Sequence, residues 1–213
     1  SYGNKFSALY TFKGLDRVQV EKVEAGDIIA ISGVDKIAIG DTLSSNDSPE
    51  PLPRIKIDQP TVSMLFYVNN GPFAGNEGKY LTTRNIKDRL EKEILSNVSL
   101  QVLGTDKIDV FEVRGRGELQ MAVLIETMRR EGFEFMVSKP RVITKEENGS
   151  IMEPMEKVFL DIPEDKVGVI TEKLSKRKGK MVNLQNHGSG RVNIEFSIPS
   201  RGLIGFRSQF MTD

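Results

Sequence analysis

Between residues 61 and 140 the hydrophobic pattern runs strand, helix, strand, strand, helix, strand, and after residue 155 the same order begins again. This constrains the fold more than any other property, because a period of two buries one face of a strand and a period near 3.6 buries one stripe of a helix. Thr61-Val62-Ser63-Met64-Leu65-Phe66-Tyr67-Val68 is strand-like, and Asn69-Asn70-Gly71-Pro72 with Gly75-Asn76-Glu77-Gly78 forms a loop. Thr82 or Thr83 can cap a helix whose apolar face is Ile86, Leu90 and Ile94. Residues 98–103 and 108–113 predict strands on either side of the Gly104-Thr105-Asp106 turn. A sharp turn at Gly115 and Gly117 opens a helix with Met121, Leu124, Ile125 and Met128 on one stripe, and Phe133-Glu134-Phe135-Met136-Val137 is the last strand before Pro140. The order βαββαβ is that of a ferredoxin-like split βαβ unit. In the second round, residues 156–162 predict a strand and 164–178 a helix with Val167, Ile170 and Leu174 inward. Strands follow at 181–184 and 191–198, then a helix at 203–211, one strand short of a full unit.

Upstream, residues 3–43 predict short strands, including Ile28-Ile29-Ala30-Ile31 and Ile37-Ala38-Ile39, punctuated by Gly14, Ala25-Gly26-Asp27, Gly33 and Gly40. That spacing suits part of a β-barrel whose first strands lie before Ser1. Ser44-Ser45-Asn46-Asp47-Ser48-Pro49-Glu50-Pro51-Leu52-Pro53 reads as a stiff linker. The expected fold class is α+β: a partial barrel with its linker over 1–52, a ferredoxin-like domain over 53–145, and an incomplete one over 146–213. Lys145-Glu146-Glu147-Asn148-Gly149-Ser150 is a hinge or hairpin between the last two. The opening Ser1-Tyr2-Gly3-Asn4-Lys5 has neither an initiator Met nor an apolar leader, so the chain reads as a piece of a longer protein.

Composition narrows function by exclusion. With no cysteine there are no disulfides, thiolate metal sites or thiol nucleophiles, and a single histidine, His187, leaves no His pair for a metal. No apolar run reaches membrane-spanning length. Thirty basic and thirty acidic residues cancel, which argues against a nucleic-acid coat but leaves room for a local patch. Gly75-Asn76-Glu77-Gly78-Lys79-Tyr80 resembles a phosphate loop only in part, because no Ser or Thr follows the Lys to hold magnesium. The Gly115-Arg116-Gly117 turn has the context of an anion site at a helix start but lacks the dinucleotide fingerprint. No carboxylate pair or nucleophile constellation points to catalysis, and His187 reads as a solvated turn residue. Phe66, Phe111, Phe133 and Phe135 read as core rather than as base-stacking aromatics.

One electrostatic feature stands out. From residue 173 to 194 there are six basic residues, Lys173, Lys176, Arg177, Lys178, Lys180 and Arg191, and no acid. A helix C-terminus favours one or two of these through its dipole, not all six, so phosphate-backbone contact is the favoured reading. Arg201 and Arg207 extend the patch.

The motifs carry a resemblance. A barrel end followed by two ferredoxin-like units is the arrangement of domains II, III and V in translational GTPases of the elongation factor G type. Arg114-Gly115-Arg116-Gly117-Glu118-Leu119-Gln120 is similar to the GRGELH-type turn of domain III in that superfamily. Met128-Arg129-Arg130-Glu131-Gly132-Phe133-Glu134 and Ile198-Pro199-Ser200-Arg201-Gly202-Leu203-Ile204-Gly205-Phe206-Arg207-Ser208 resemble the BipA/TypA family of ribosome-associated GTPases, and the latter stretch separates that family from elongation factor G and LepA. The resemblance implies a parent that uses GTP and Mg2+ in a G domain before Ser1, carries a C-terminal domain after Asp213, docks on the 70S ribosome and serves large-subunit assembly or stress adaptation. This chain itself would hold no cofactor and do no catalysis. Its implied partners are large-subunit rRNA and proteins and the parent's own flanking domains, in a cytoplasmic monomer with no membrane or DNA partner. Arg114, Arg116 and Glu118 become candidate contacts to the G domain or ribosome, and the basic residues above become candidate rRNA contacts. The competing reading is a self-contained RNA-binding or scaffold protein built from ferredoxin-like domains.

Overall fold

A computed structural model describes residues 6–34, 37–44 and 50–212. The N-terminal pentapeptide and residues 45–49 of the proline-rich linker lie outside the described residues. The chain divides into two compact units, Ser1–Lys56 and Ile57–Asp213. The architecture is mixed α+β, with several antiparallel sheets and few helices.

In the first unit, β1 (Ala8–Lys13), β2 (Asp16–Gln19) and β3 (Ile29–Ser32) form an antiparallel sheet in the order β2-β1-β3. Gly14, at φ +64°, makes the tight β1–β2 turn. The strand expected at 37–39 is a turn instead. Ala38 N–H donates to the Asp41 carboxylate at 2.9 Å and Asp41 N–H donates back to the Ala38 carbonyl at 3.0 Å. This local Asx-type closure outcompetes the β-preference of Ile37 and Ile39.

In the second unit the chain runs β4 (Val62–Val68), α1 (Thr83–Ser96), β5 (Gln101–Gly104), β6 (Val110–Gly115), α2 (Glu118–Arg130) and β7 (Phe135–Val137). The sheet order is β5-β6-β4-β7, and an unexpected short strand, β8 (Arg141–Val142), pairs with β4 at Ser63 and Val62. Thr82 caps α1 by accepting the Asn85 N–H at 3.2 Å. Phe66, Ile86, Leu90, Val113, Met121, Leu124 and Met128 fill the space between the sheet and the two helices. Arg89 ties the helices together from outside the core, reaching Glu93 at 2.8 Å and Glu131 at 2.5 and 2.9 Å.

β9 (Lys145–Glu147) and β10 (Ser150–Met152) form the hairpin that the polar segment suggests, with Asn148 and Gly149 both at positive φ. The second layered half follows: β11 (Met155–Pro163), a 3-10 turn (Glu164–Lys166), α3 (Val167–Lys176), β12 (Lys180–Asn186) and β13 (Arg191–Pro199). Its sheet order is β11-β13-β12. Ile162, Ile170, Leu174, Val192, Ile194, Phe196, Ile198 and Phe206 form its core. The single helix expected at 203–211 is two, α4 (Ser200–Leu203) and α5 (Phe206–Phe210). Gly205, at φ +71°, separates them, since a left-handed residue cannot continue a right-handed helix. Gly202 is needed for space: a Cβ there would lie 2.6 Å from the Arg177 carbonyl oxygen.

Candidate nucleic-acid interface

The basic window spans the end of α3, the turn into β12 and the start of β13. Leu174 anchors the helix end in the core, and Lys178, at φ +70°, turns the chain so that Gly179 N–H donates to the Leu174 carbonyl at 2.8 Å. The window lacks acids in sequence, yet the fold supplies them. Lys176 meets Glu172 one turn back on α3 at 2.5 Å, and that hydrogen bond, ahead of its charge, holds the Glu172 carboxyl below its ordinary range. Arg191 reaches Asp161 on the neighbouring strand at 2.9 Å. Arg201 makes two hydrogen bonds to Glu153, at 2.6 and 3.2 Å. Lys173 lies half-buried in the last turn of α3.

Arg177 turns inward. Its guanidinium donates to the carbonyls of Gly202 at 2.8 Å and Ile204 at 3.0 Å and to the Gln209 amide oxygen at 2.9 Å. It also lies 5.6 Å from the Phe206 ring centre. The carbonyls at the end of so short a helix as α4 lack intrahelical partners, and Arg177 satisfies them. Its role in this arrangement is to hold α4 and α5 on the module. Lys178, Lys180 and Arg207 are exposed and form no ion pair among the described residues.

The second candidate group sits where β6 turns into α2. Arg114 makes two hydrogen bonds to Glu112, at 2.9 and 3.0 Å. Arg116 pairs with Asp58 at 2.7 Å, its N–H donates to Gln120 at 2.8 Å, and its carbonyl accepts the Thr61 hydroxyl at 3.0 Å. Glu118, in the first turn of α2, accepts the Gly205 N–H at 2.6 Å. The 114–120 and 198–208 segments, two of the three that carry the resemblance, therefore meet in space, although 87 residues separate these partners. A shallow groove lined by Thr61, Arg116, Gly117, Glu118, Glu156, Ser200 and Ile204 marks the junction.

The partial phosphate loop is filled from within. Glu134 accepts N–H groups from Gly75, Glu77 and Gly78 at 3.0–3.1 Å and the Asn69 amide at 2.6 Å. The Gly75 N–H, foremost among these donors, holds its carboxyl below the ordinary range. Among the described residues no cluster of His, Cys, Asp or Glu has the make-up of a metal site. The loop N–H groups that a phosphate would need are thus taken by the Glu134 carboxylate. His187 lies in the exposed β12–β13 loop, its Nε2 3.2 Å from the Asn193 amide nitrogen. Phe66 and Phe111 are buried and Phe133 and Phe135 half-buried, as core side chains are.

One surface escapes sequence reading. Phe159 projects from the outward face of β11, 72% exposed, beside Asn183, Gln185 and Asn193. Its signal is the period-two alternation in which Val158, Leu160 and Ile162 face the core and Lys157, Phe159 and Asp161 face away.

Comparison with known proteins places this arrangement. The family model described as elongation factor G C-terminus matches residues 150–213. A Bacillus subtilis (strain 168) protein named large ribosomal subunit assembly factor BipA is 47% identical over 98% of this chain and 34% of that protein. The Escherichia coli (strain K12) protein of the same name is 51% identical over 93% of this chain and 33% of its own length. A Synechocystis relative of that name is 49% identical over 97% of the chain and 35% of its own length. A crystal structure from Thermus thermophilus shares the fold with a TM-score of 0.51 at 13% identity, over 93% of this chain and 45% of that one. The chain spans about a third of the length of the curated relatives it matches. With identity near one half along almost all of its residues, the chain belongs to the BipA family.

Proposed function

We propose that this chain is the ribosome-docking and conformational-coupling part of a BipA/TypA-type GTPase that acts on the 70S ribosome in the cytoplasm, in large-subunit assembly or stress adaptation. The observation that carries the reading is the near-half identity, along nearly the whole chain, to proteins named large ribosomal subunit assembly factor. In this reading GTP and Mg2+ belong to a G domain of the parent, outside these residues. Residues 1–52 are the end of a domain II-like barrel, 53–145 a domain III-like and 146–213 a domain V-like ferredoxin unit. The element order βαββαβ with sheet order β5-β6-β4-β7 supports the ferredoxin assignment of the middle unit.

Docking falls to the basic edge. Exposed Lys178, Lys180 and Arg207 are the first contacts to rRNA phosphates, with Lys173, Lys176, Arg191 and Arg201 contributing where phosphate displaces or shares a carboxylate partner. Arg177 contributes by shaping that edge. Coupling falls to the 114–118 turn. Arg114 and Arg116 stand at the junction for contact with the G domain or ribosome, and Glu118 links the turn to Gly205. Cosedimentation with 70S ribosomes and separated subunits across a salt series tests the reading. Binding that falls steeply with salt, and that Lys178→Glu with Lys180→Glu weakens with a shallower salt slope, is expected. Unchanged affinity and slope in that variant would remove the rRNA-contact assignment.

A further inference from the structure

We propose that the open face of the β11-β13-β12 sheet is a binding platform for an unpaired RNA base, stacked on Phe159 with its edge hydrogen-bonded by amides and its phosphates towards Lys180. Strand register sets out the platform in rows. Lys157, Ser197 and Lys180 lie opposite one another across the three strands, then Phe159, Glu195 and Asn183, then Asp161, Asn193 and Gln185. One row is cationic, the next carries the exposed ring, and the third offers the side-chain amides that suit base edges.

Three features favour a base over other occupants. Phe159 is the lone large apolar side chain in these three rows, flanked along β11 by Lys157 and Asp161 and faced by Glu195, which is unlike the contiguous apolar patch of a protein-docking site. An isolated exposed ring between polar neighbours is what base stacking uses, since every base has an apolar face and a polar edge. The acids on the face are also occupied: Asp161 by Arg191 at 2.9 Å and Glu195 by Lys157 at 3.7 Å. Lys180 forms no ion pair among the described residues, which leaves it for phosphate. Lys180 also belongs to the docking edge, so the platform extends the proposed function from backbone contact to base contact and rests on that reading.

The test uses this chain, single-stranded 12-mers of U and of A, and a 12-base-pair RNA duplex. The sequence has no Trp and four Tyr, so Phe159→Trp installs a sole indole at the platform, excited at wavelengths where tyrosine does not absorb. Quenching of its emission by the single strands but not the duplex is expected. Phe159→Leu, which keeps apolar bulk and removes the ring, is expected to weaken single-strand binding about tenfold while Phe159→Trp retains it. Lys180→Glu is expected to weaken binding with a smaller salt slope. Absence of quenching, or equal binding by the Leu variant, overturns the proposal. If Phe159→Leu weakens ribosome cosedimentation while the oligonucleotides never quench, the platform takes a protein and the base reading fails with docking intact. If the chain fails to cosediment but binds single strands through Phe159, the docking reading fails and the platform stands. Circular dichroism of each variant checks folding, which an exposed position leaves intact.

Discussion

On the outward face of the β5-β6-β4-β7 sheet, Leu65 and Tyr67 are half-buried, Val110 is buried, and Arg114 spans to Glu112 through two hydrogen bonds. The outward face of the β11-β13-β12 sheet leaves Phe159 in solvent among amides. Behind both faces the packing is of one kind, a sheet covered by helices, with Phe66 at the centre of one core and Phe196 of the other. The cores follow from burial, which many apolar side chains satisfy equally well. The outer faces are free of that demand, so a difference there speaks to what each half meets.

Each half is also fastened by one arginine, and the two fasteners differ. Arg89 joins α1 to the end of α2 through the Glu131 carboxylate, while Glu93, one turn on along α1, accepts a further hydrogen bond from the same guanidinium. Arg177 joins α3 to α4 and α5 through two carbonyls and an amide. Only the first of the two fasteners depends on carboxylates.

The largest effect that would sharpen the comparison is loss of either core. Phe66→Ala and Phe196→Ala are each expected to cost about 3–5 kcal/mol. In urea, Phe196→Ala should unfold residues 155–210 while amides of 62–137 stay protected, read by NMR hydrogen exchange. A single transition shared by both halves would instead make them one cooperative block. Next comes Arg177→Met, which orphans the carbonyls of Gly202 and Ile204 and is expected to cost about 2 kcal/mol, with lost protection confined to α4 and α5. Lys178→Met, one residue away and exposed, is expected to stay within about 0.5 kcal/mol.

Acid should then split the halves. The Arg89 hydrogen bond, foremost, lowers the Glu131 carboxyl from its ordinary 4.5, and loop N–H groups lower Glu134 from the same value. A carboxylate lowered in the folded state contributes stability that is fully present above its unfolded value and disappears as pH falls through the folded value. Titration from pH 6 to 3 should therefore loosen the loop 69–80 and the α1–α2 link below pH 4.5, while the Arg177 contacts persist. Glu131→Gln with Glu134→Gln should flatten that dependence, as followed by the amide shifts of Gly75, Glu77 and Gly78. The smallest effect is Lys176→Ala. Its exposed pair with Glu172 should leave the melting midpoint unmoved while lowering ribosome affinity.

Much of the architecture is legible in the sequence. The stripes Ile86, Leu90, Ile94 and Met121, Leu124, Met128 set both helices of the first half, and the three buried ones on α2 line one core. Misreadings come where local polar closure or a left-handed residue overrides propensity, as at Asp41 and Gly205. The short strand β8 escapes because two residues carry no period. For the candidate site, sequence locates the basic residues but not their freedom. Linear spacing cannot see that Asp161 lies across a strand from Arg191 or that Glu153 meets Arg201.

The sequence by itself determined the strands and helices between residues 62 and 137 and between 155 and 199 apart from the short β8, the apolar stripes that fill the two cores, and, through its motifs, the family. Those properties are local or periodic, and each residue carries its share of the signal. Tertiary structure alone decided which charges remain available, that Glu134 fills the loop that resembles a phosphate cradle, and that Glu118 meets Gly205. It also arranged Phe159, Asn183 and Asn193 on one face. These depend on strand register and on contacts between residues distant in the chain, and no window of sequence contains both partners.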